Sequence, residues 1–177
     1  MTTKPSIKFG PYEVTEQVFY TTSLSFALVN LKPLVAGHVL VCPRAPHRRF
    51  LDLSANETAD LFQTVQLVQR LLTRVYLSGG GGFTVAVQDG PEAGQTVPHV
   101  HVHVLPRVGG DMERPDDVYH LLAGEEGNVG GALWDRGRPV PGGGWRLWRM
   151  GRGWRGEGEM HGEAERYRVV LRELGGE

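Results

Sequence analysis

His99-Val100-His101-Val102-His103-Val104-Leu105 alternates imidazole and aliphatic side chains. On an extended strand successive side chains point to opposite faces. The three histidines then share one face, and Val100, Val102 and Val104 share the other. The valines suit a core. Three imidazoles in a row have no packing rationale, because a buried polar ring needs hydrogen-bond partners. A strand is expected over Val97 to Leu105, with its histidine face given to chemistry.

Working outward, Phe83 to Asp89 (FTVAVQD) alternates as a second strand. A loop, Gly90-Pro91-Glu92-Ala93-Gly94-Gln95-Thr96, joins it to the first. Upstream, Leu24 to Leu31 and Gly37 to Pro43 read as two further strands, and the second is closed by a proline whose missing N–H suits a strand end. The short connection Lys32 to Gly37 makes them antiparallel neighbours. Between the two pairs lies one long helix. Ser54 and Glu57 form its capping box, Leu61, Val65, Val68 and Leu72 give its buried stripe, and Gly79 to Gly82 end it. Paired strands around a single helix indicate an α+β meander in place of a parallel βαβ sheet.

Residues 123–158 differ in composition. They hold 12 glycines in 36 residues and all four tryptophans, with arginines interleaved and no period of 2 or 3.6. A disordered insertion is expected there. An RNA-binding arginine-glycine-aromatic segment and a stretch of retained non-coding sequence are the alternatives. Helical spacing returns at Met160, Ala164, Tyr167, Leu171 and Leu174, so residues 159–177 are expected to form a terminal helix.

A chain of 177 residues accommodates one domain of ordinary size, with residues 1–122 as its catalytic part. The net charge of -1 does not point to a nucleic-acid or membrane partner. The polar start Met1-Thr2-Thr3-Lys4-Pro5 and the lack of a ~20-residue apolar run favour a soluble protein. Cys42, the single cysteine, sits in an apolar run and reads as a small buried hydrophobe, the alternative being a thiolate nucleophile.

Two chemistries fit the histidines. Zinc binding would need a further ligand, for which His38, His47 or an acid is a candidate. Covalent catalysis would use one neutral imidazole as a nucleophile toward phosphorus and its neighbours as orienting groups and proton donors. The loop favours phosphorus. Backbone amides of a glycine-containing turn, with Gln88, Gln95 and Thr96, suit phosphate oxygens and are poor zinc ligands. No residue is assigned to a metal.

Gly94-Gln95-Thr96-Val97-Pro98-His99-Val100-His101-Val102-His103 resembles the histidine triad pattern. Gln88 to Val97, Leu105-Pro106-Arg107, Leu24 to Asn30 and Gly37 to Pro43 resemble its fragile histidine triad branch in particular. The likeness covers roughly Phe9 to Leu122. It implies a five-stranded antiparallel sheet with one long helix and a C-terminal helix, in a homodimer whose sheets join. It also implies hydrolysis of diadenosine triphosphate to AMP and ADP, in the cytoplasm, with the nucleus a further compartment.

By the same resemblance His101 attacks the α-phosphorus, His103 binds the phosphate oxygens and assists the leaving group, His99 orients the triad, and His38 supports it from behind. Gln88 and Gly94-Gln95-Thr96-Val97 would hold the polyphosphate, Asn30 the ribose, and Phe9, with Phe26 and Leu28, the adenine. A divalent cation, magnesium or manganese, would act with the substrate. Pro11-Tyr12 departs from the branch, and Tyr119 sits where the branch carries a tyrosine associated with signalling. The other functions considered are an adenosine phosphoramidase of the same superfamily and a signalling protein whose bound nucleotide complex is the output.

Overall fold

The computed structural model describes residues 6–124 and 155–175. Its centre is a five-stranded antiparallel sheet in the order β3-β4-β5-β7-β6, made of β3 (Val18–Thr21), β4 (Ser25–Val29), β5 (Val39–Pro43), β6 (Gly82–Val87) and β7 (Val102–Arg107). A two-stranded hairpin, β1 (Lys8–Phe9) and β2 (Tyr12–Glu13), precedes it. The helices are α1 (Ala55–Tyr76), α2 (Asp117–Ala123) and α3 (Glu157–Glu173).

Helix α1 forms where the sequence places it. The Ser54 side chain accepts the Glu57 N–H while Glu57 bonds back to the Ser54 N–H. Leu61, Val65, Val68 and Leu72 are all buried, joined by Leu71. The helix ends at Tyr76, three residues before the first glycine. Helix α3 begins at Glu157, two residues earlier than expected, and buries Met160, Ala164, Tyr167 and Leu171. Leu174, expected on that stripe, lies beyond the helix end and is partly exposed. Most of the expected insertion (125–154) lies outside the described residues.

One strand boundary moves. The expected strand from Val97 begins only at Val102. Pro98 has no N–H to give a ladder, the His99 N–H turns back to the Val97 carbonyl, and the Val100 N–H goes to the His47 carbonyl. His99 therefore reaches the site from a turn, His101 from the residue before the strand, and His103 from the strand itself.

Register then sorts the faces. Leu28, Leu40 and His103 lie side by side across one face, and Val29, Val39 and Val104 across the other. Helix α1 packs on β4, β5 and β7, and α3 on β3, β4 and α1. The hairpin β1–β2 reaches the histidines through Phe9. Leu105, Val118 and Leu122 bring α2 onto a smaller apolar cluster with Leu34 and Val35.

Candidate active site

Four histidines meet where β5 pairs with β7. His38 stands just before β5, with His99, His101 and His103 opposite, and all four are at most 2% exposed. Backbone groups of known polarity fix the proton positions on His38, His99 and His101, and His38 in turn fixes that of His103.

His99 Nδ1 accepts the Gly10 N–H at 3.0 Å, so its proton is on Nε2, which donates to the Pro43 carbonyl at 2.7 Å. His101 Nδ1–H donates to the His99 carbonyl at 2.8 Å, which leaves the lone pair on Nε2. His38 Nδ1 accepts the Leu34 N–H at 3.2 Å, and its Nε2–H donates to His103 Nδ1 at 3.0 Å. The remaining proton of His103 is then on Nε2, which is buried and has no partner among the described residues. Two adjacent rings, with centroids 5.0 Å apart, thus offer a lone pair on His101 and an unused donor on His103.

Burial is the main reason these rings stay neutral. It lowers His101 to about 4 and His38 to about 3, and it pushes His103 well below the usual histidine range and His99 below it. Neighbouring imidazoles add to the effect at His101, His103 and His38, and Arg155 adds to it at His38. A neutral imidazole with a fixed tautomer is the nucleophilic form.

The remaining expected residues fall around this core with more committed roles. Phe9 is fully buried, its ring edge-on to His101 at 5.1 Å and tilted against His99 at 5.6 Å, so it packs on the triad itself. Asn30 is buried with its Oδ1 accepting the Lys32 N–H and its amide nitrogen 3.5 Å from the acceptor Nδ1 of His38. Phe26 and Leu28 belong to the core. Gln88 Nε2 donates to the Leu122 carbonyl and passes beneath Gly94, where a Cβ would meet it at 2.6 Å.

The loop Gly90–Gln95 is braced from within. The N–H groups of Ala93 and Gln95 bond to the Gly90 carbonyl and that of Gly94 to Pro91. The Gln95 side chain takes the Gly90 N–H and donates to the Arg48 carbonyl. Thr96 is exposed and Val97 fully buried. The amides expected to face phosphate are thus turned inward in this loop, and the side chain of Gln95 holds its shape.

A zinc site does not fit these donors. Both nitrogens of His99 and one each of His101 and His103 are already bonded. Among the described residues no three histidine, cysteine, aspartate or glutamate side chains are grouped to hold a metal ion. Cys42 is fully buried, and burial raises its thiol well above the usual range, which fits a core residue and not a thiolate. Sequence reasoning missed Gly10, Leu34 and Pro43, which act through backbone atoms and so carry no side-chain signal. Gly10 alone had a trace of one, at φ +56° with Val97 2.8 Å from where a Cβ would stand.

The fold and this tautomer-fixed histidine cluster define a histidine triad protein. The HIT domain family model matches residues 12–110, and the chain belongs to that family. A bifunctional bis(5'-adenosyl)-triphosphatase/adenylylsulfatase FHIT of Arabidopsis thaliana is 52% identical over 122 residues, 68% of this chain and 67% of that one. A bis(5'-adenosyl)-triphosphatase of Dictyostelium discoideum is 45% identical over 118 residues, 66% of this chain and 78% of its own. The crystal structure of the C. elegans NitFhit protein is 33% identical with a TM-score of 0.66, covering 96% of this chain and 31% of that chain. The chain thus spans about two thirds of the Arabidopsis relative and under a third of the worm protein.

Proposed function

We propose that the chain is a dinucleoside polyphosphate hydrolase that cleaves diadenosine triphosphate to AMP and ADP. One observation carries this reading. His101 Nε2 holds a lone pair, fixed by the bond from Nδ1–H to the His99 carbonyl, beside the unpartnered Nε2–H of His103. The relatives named as bis(5'-adenosyl)-triphosphatases support the substrate class.

In the reaction His101 Nε2 attacks the α-phosphorus and forms a P–N bond. The bond to the bridging oxygen breaks, and ADP leaves with its electron pair. His103 Nε2–H is placed to donate to a phosphate oxygen as charge develops. Water then attacks the nucleotidyl-histidine, the P–N bond breaks, and AMP is released. Dividing the hydrolysis into two displacements gives each a well-placed nucleophile. A magnesium or manganese ion would ride on the polyphosphate and offset its charge, with no ligand assigned from the protein.

The test is to mix the protein with diadenosine triphosphate and magnesium in ¹⁸O-labelled water beside His101→Asn. Equal AMP and ADP are expected, with label in AMP alone, because water reaches only the α-phosphorus. His101→Asn should lose turnover on the order of 10⁴-fold or more while still binding the nucleotide. Chelation should slow the wild type and added magnesium restore it. Absence of product from the wild type overturns the hydrolase reading, and unchanged turnover under chelation overturns the cation.

The proposal extends to a homodimer joined at β6, an edge strand with Val85 and Val87 partly exposed, and to a cytoplasmic setting. Among the described residues no helix is long and apolar enough to cross a membrane. Immunofluorescence of the untagged protein in its native cell checks the setting, and exclusive staining of a membrane compartment argues against it.

A further inference from the structure

Helix α2 lies outside residues 12–110, the stretch that the family model matches, yet it backs two parts of the site at once. The first is Gln88. Ala86 pairs with His103 and Val87 with Val102, so one further step along that register sets Gln88 opposite His101, on the histidine face. Gln88 Nε2 donates to the Leu122 carbonyl at 3.2 Å. Carbonyls in the last turn of a helix have no partner within it, and Gln88 meets that need for Leu122. The amide fits there because residue 94 is glycine: a Cβ would stand 2.6 Å from Nε2, and φ is +89°.

The second part is the turn that carries Leu34. Val118 and Leu122 are buried in an apolar cluster with Leu105, and Leu34 and Val35 pack against it. His38 Nδ1 accepts the Leu34 N–H, which puts the His38 Nε2–H on His103 and leaves His103 Nε2–H as the unused donor. The start of α2 is held as firmly. Arg107, at the end of β7, bonds Asp111 through Nε and Nη2 at 2.6 and 2.9 Å. It also bonds Thr84 at 3.1 Å and the Pro115 carbonyl at 3.2 Å, just ahead of the helix.

We propose that Leu122 is a positioning residue. Its carbonyl aims the Gln88 amide so that the second Nε2–H meets a phosphate oxygen, and its side chain keeps Leu34 on the His38 ring. One helix thereby sets two phosphate donors, the Gln88 amide and His103 Nε2–H, in a fixed relation. Leu122 itself touches no reacting atom.

The physical reason is aim. The last torsion of a glutamine is broad and roughly two-fold, so an amide without a fixed partner presents its oxygen as readily as its N–H. An oxygen turned toward phosphate would repel it. A carbonyl only accepts, so bonding Nε2 to one removes that choice. Donors already aimed cost no reorganisation as charge develops on the phosphate.

This inference rests on the hydrolase reading, and its test separates the two. In the ligand-free wild type, NMR should show Overhauser contacts from the Gln88 side-chain N–H protons to Leu122 and Gly94. Ring ¹⁵N spectra should show His38 with a bare Nδ1 and a protonated Nε2. Absence of either signature overturns the proposal, whether or not any substrate is turned over. Leu122→Ala should lose the Gln88 contacts and mix the His38 tautomers. Its kcat should fall roughly ten- to a hundredfold, with a smaller change in KM. Leu122→Met, which nearly keeps the volume, should recover all three.

A folded Leu122→Ala that keeps the wild-type Gln88 and His38 signals overturns the assignment, as does a change at only one of the two. Should Leu122→Ala fail to fold, Arg107→Gln, which loosens α2 from its start, should move both signals in the same direction. Unmoved signals there overturn the proposal. If the wild type turns nothing over, the hydrolase reading falls and the spectra still decide the role of Leu122.

Discussion

At the residue scale the four histidines make the protein sensitive to acid. Each is held below its ordinary value in the folded state, chiefly by burial. An unfolded chain therefore binds more protons once pH drops below about 6.5. Stability contributed by these rings is complete above that value and is lost as pH falls toward the folded values, about 4 for His101 and about 3 for His38. Each unit of difference is worth about 1.4 kcal/mol. Thermal midpoints should therefore fall steeply between pH 6.5 and 4, and less steeply in His103→Gln, which removes one such ring. Equal slopes in both proteins would show that the histidines do not drive the loss. The alternation of His99 to His103 was enough to announce a reactive cluster from the residues alone. The proton positions were not legible, because they are set by the main-chain groups of Gly10, Leu34, Pro43 and His99.

At the scale of elements, local signals and tertiary demands divide the account. Helix α1 was legible in full, since a capping box and an apolar stripe are properties of neighbouring residues. Ser54→Ala should lower unfolding free energy by about 1 kcal/mol with turnover unchanged, as urea denaturation and the nucleotide assay would show. A loss of activity at full occupancy of the folded state would tie this cap to the site. The hairpin β1–β2 and helix α2 went unread. Two-residue strands and a seven-residue helix are too short to establish a period, and they form because Phe9 and Val118 find partners elsewhere. The start of β7 was placed five residues early for a related reason: alternation continues through Val97 to His101, but Pro98 and the turned-back N–H of His99 leave no ladder to join.

At the scale of the whole molecule, β6 has one edge without a strand partner among the described residues, and Val85 and Val87 are exposed along it. An open apolar edge is a template for pairing with another chain. Sedimentation should give twice the chain mass, and a Val85→Lys exchange should yield monomers. A wild-type monomer at micromolar concentration would remove the dimer from the proposal. A different consequence follows from the seam between β5 and β7. Only three residue pairs join there, Val39 to Val104, Leu40 to His103 and Val41 to Val102. They connect two meanders, β3-β4-β5 and β6-β7, separated in sequence by residues 44–81, which include all of α1. Closing so long a stretch of chain carries an entropic cost that local hairpins avoid. The histidine site, which takes His38 from one half and His101 and His103 from the other, is therefore complete only once the two halves dock. A nucleotide seated across that line would act as a clasp, slowing the parting of the halves more than the fraying of either one.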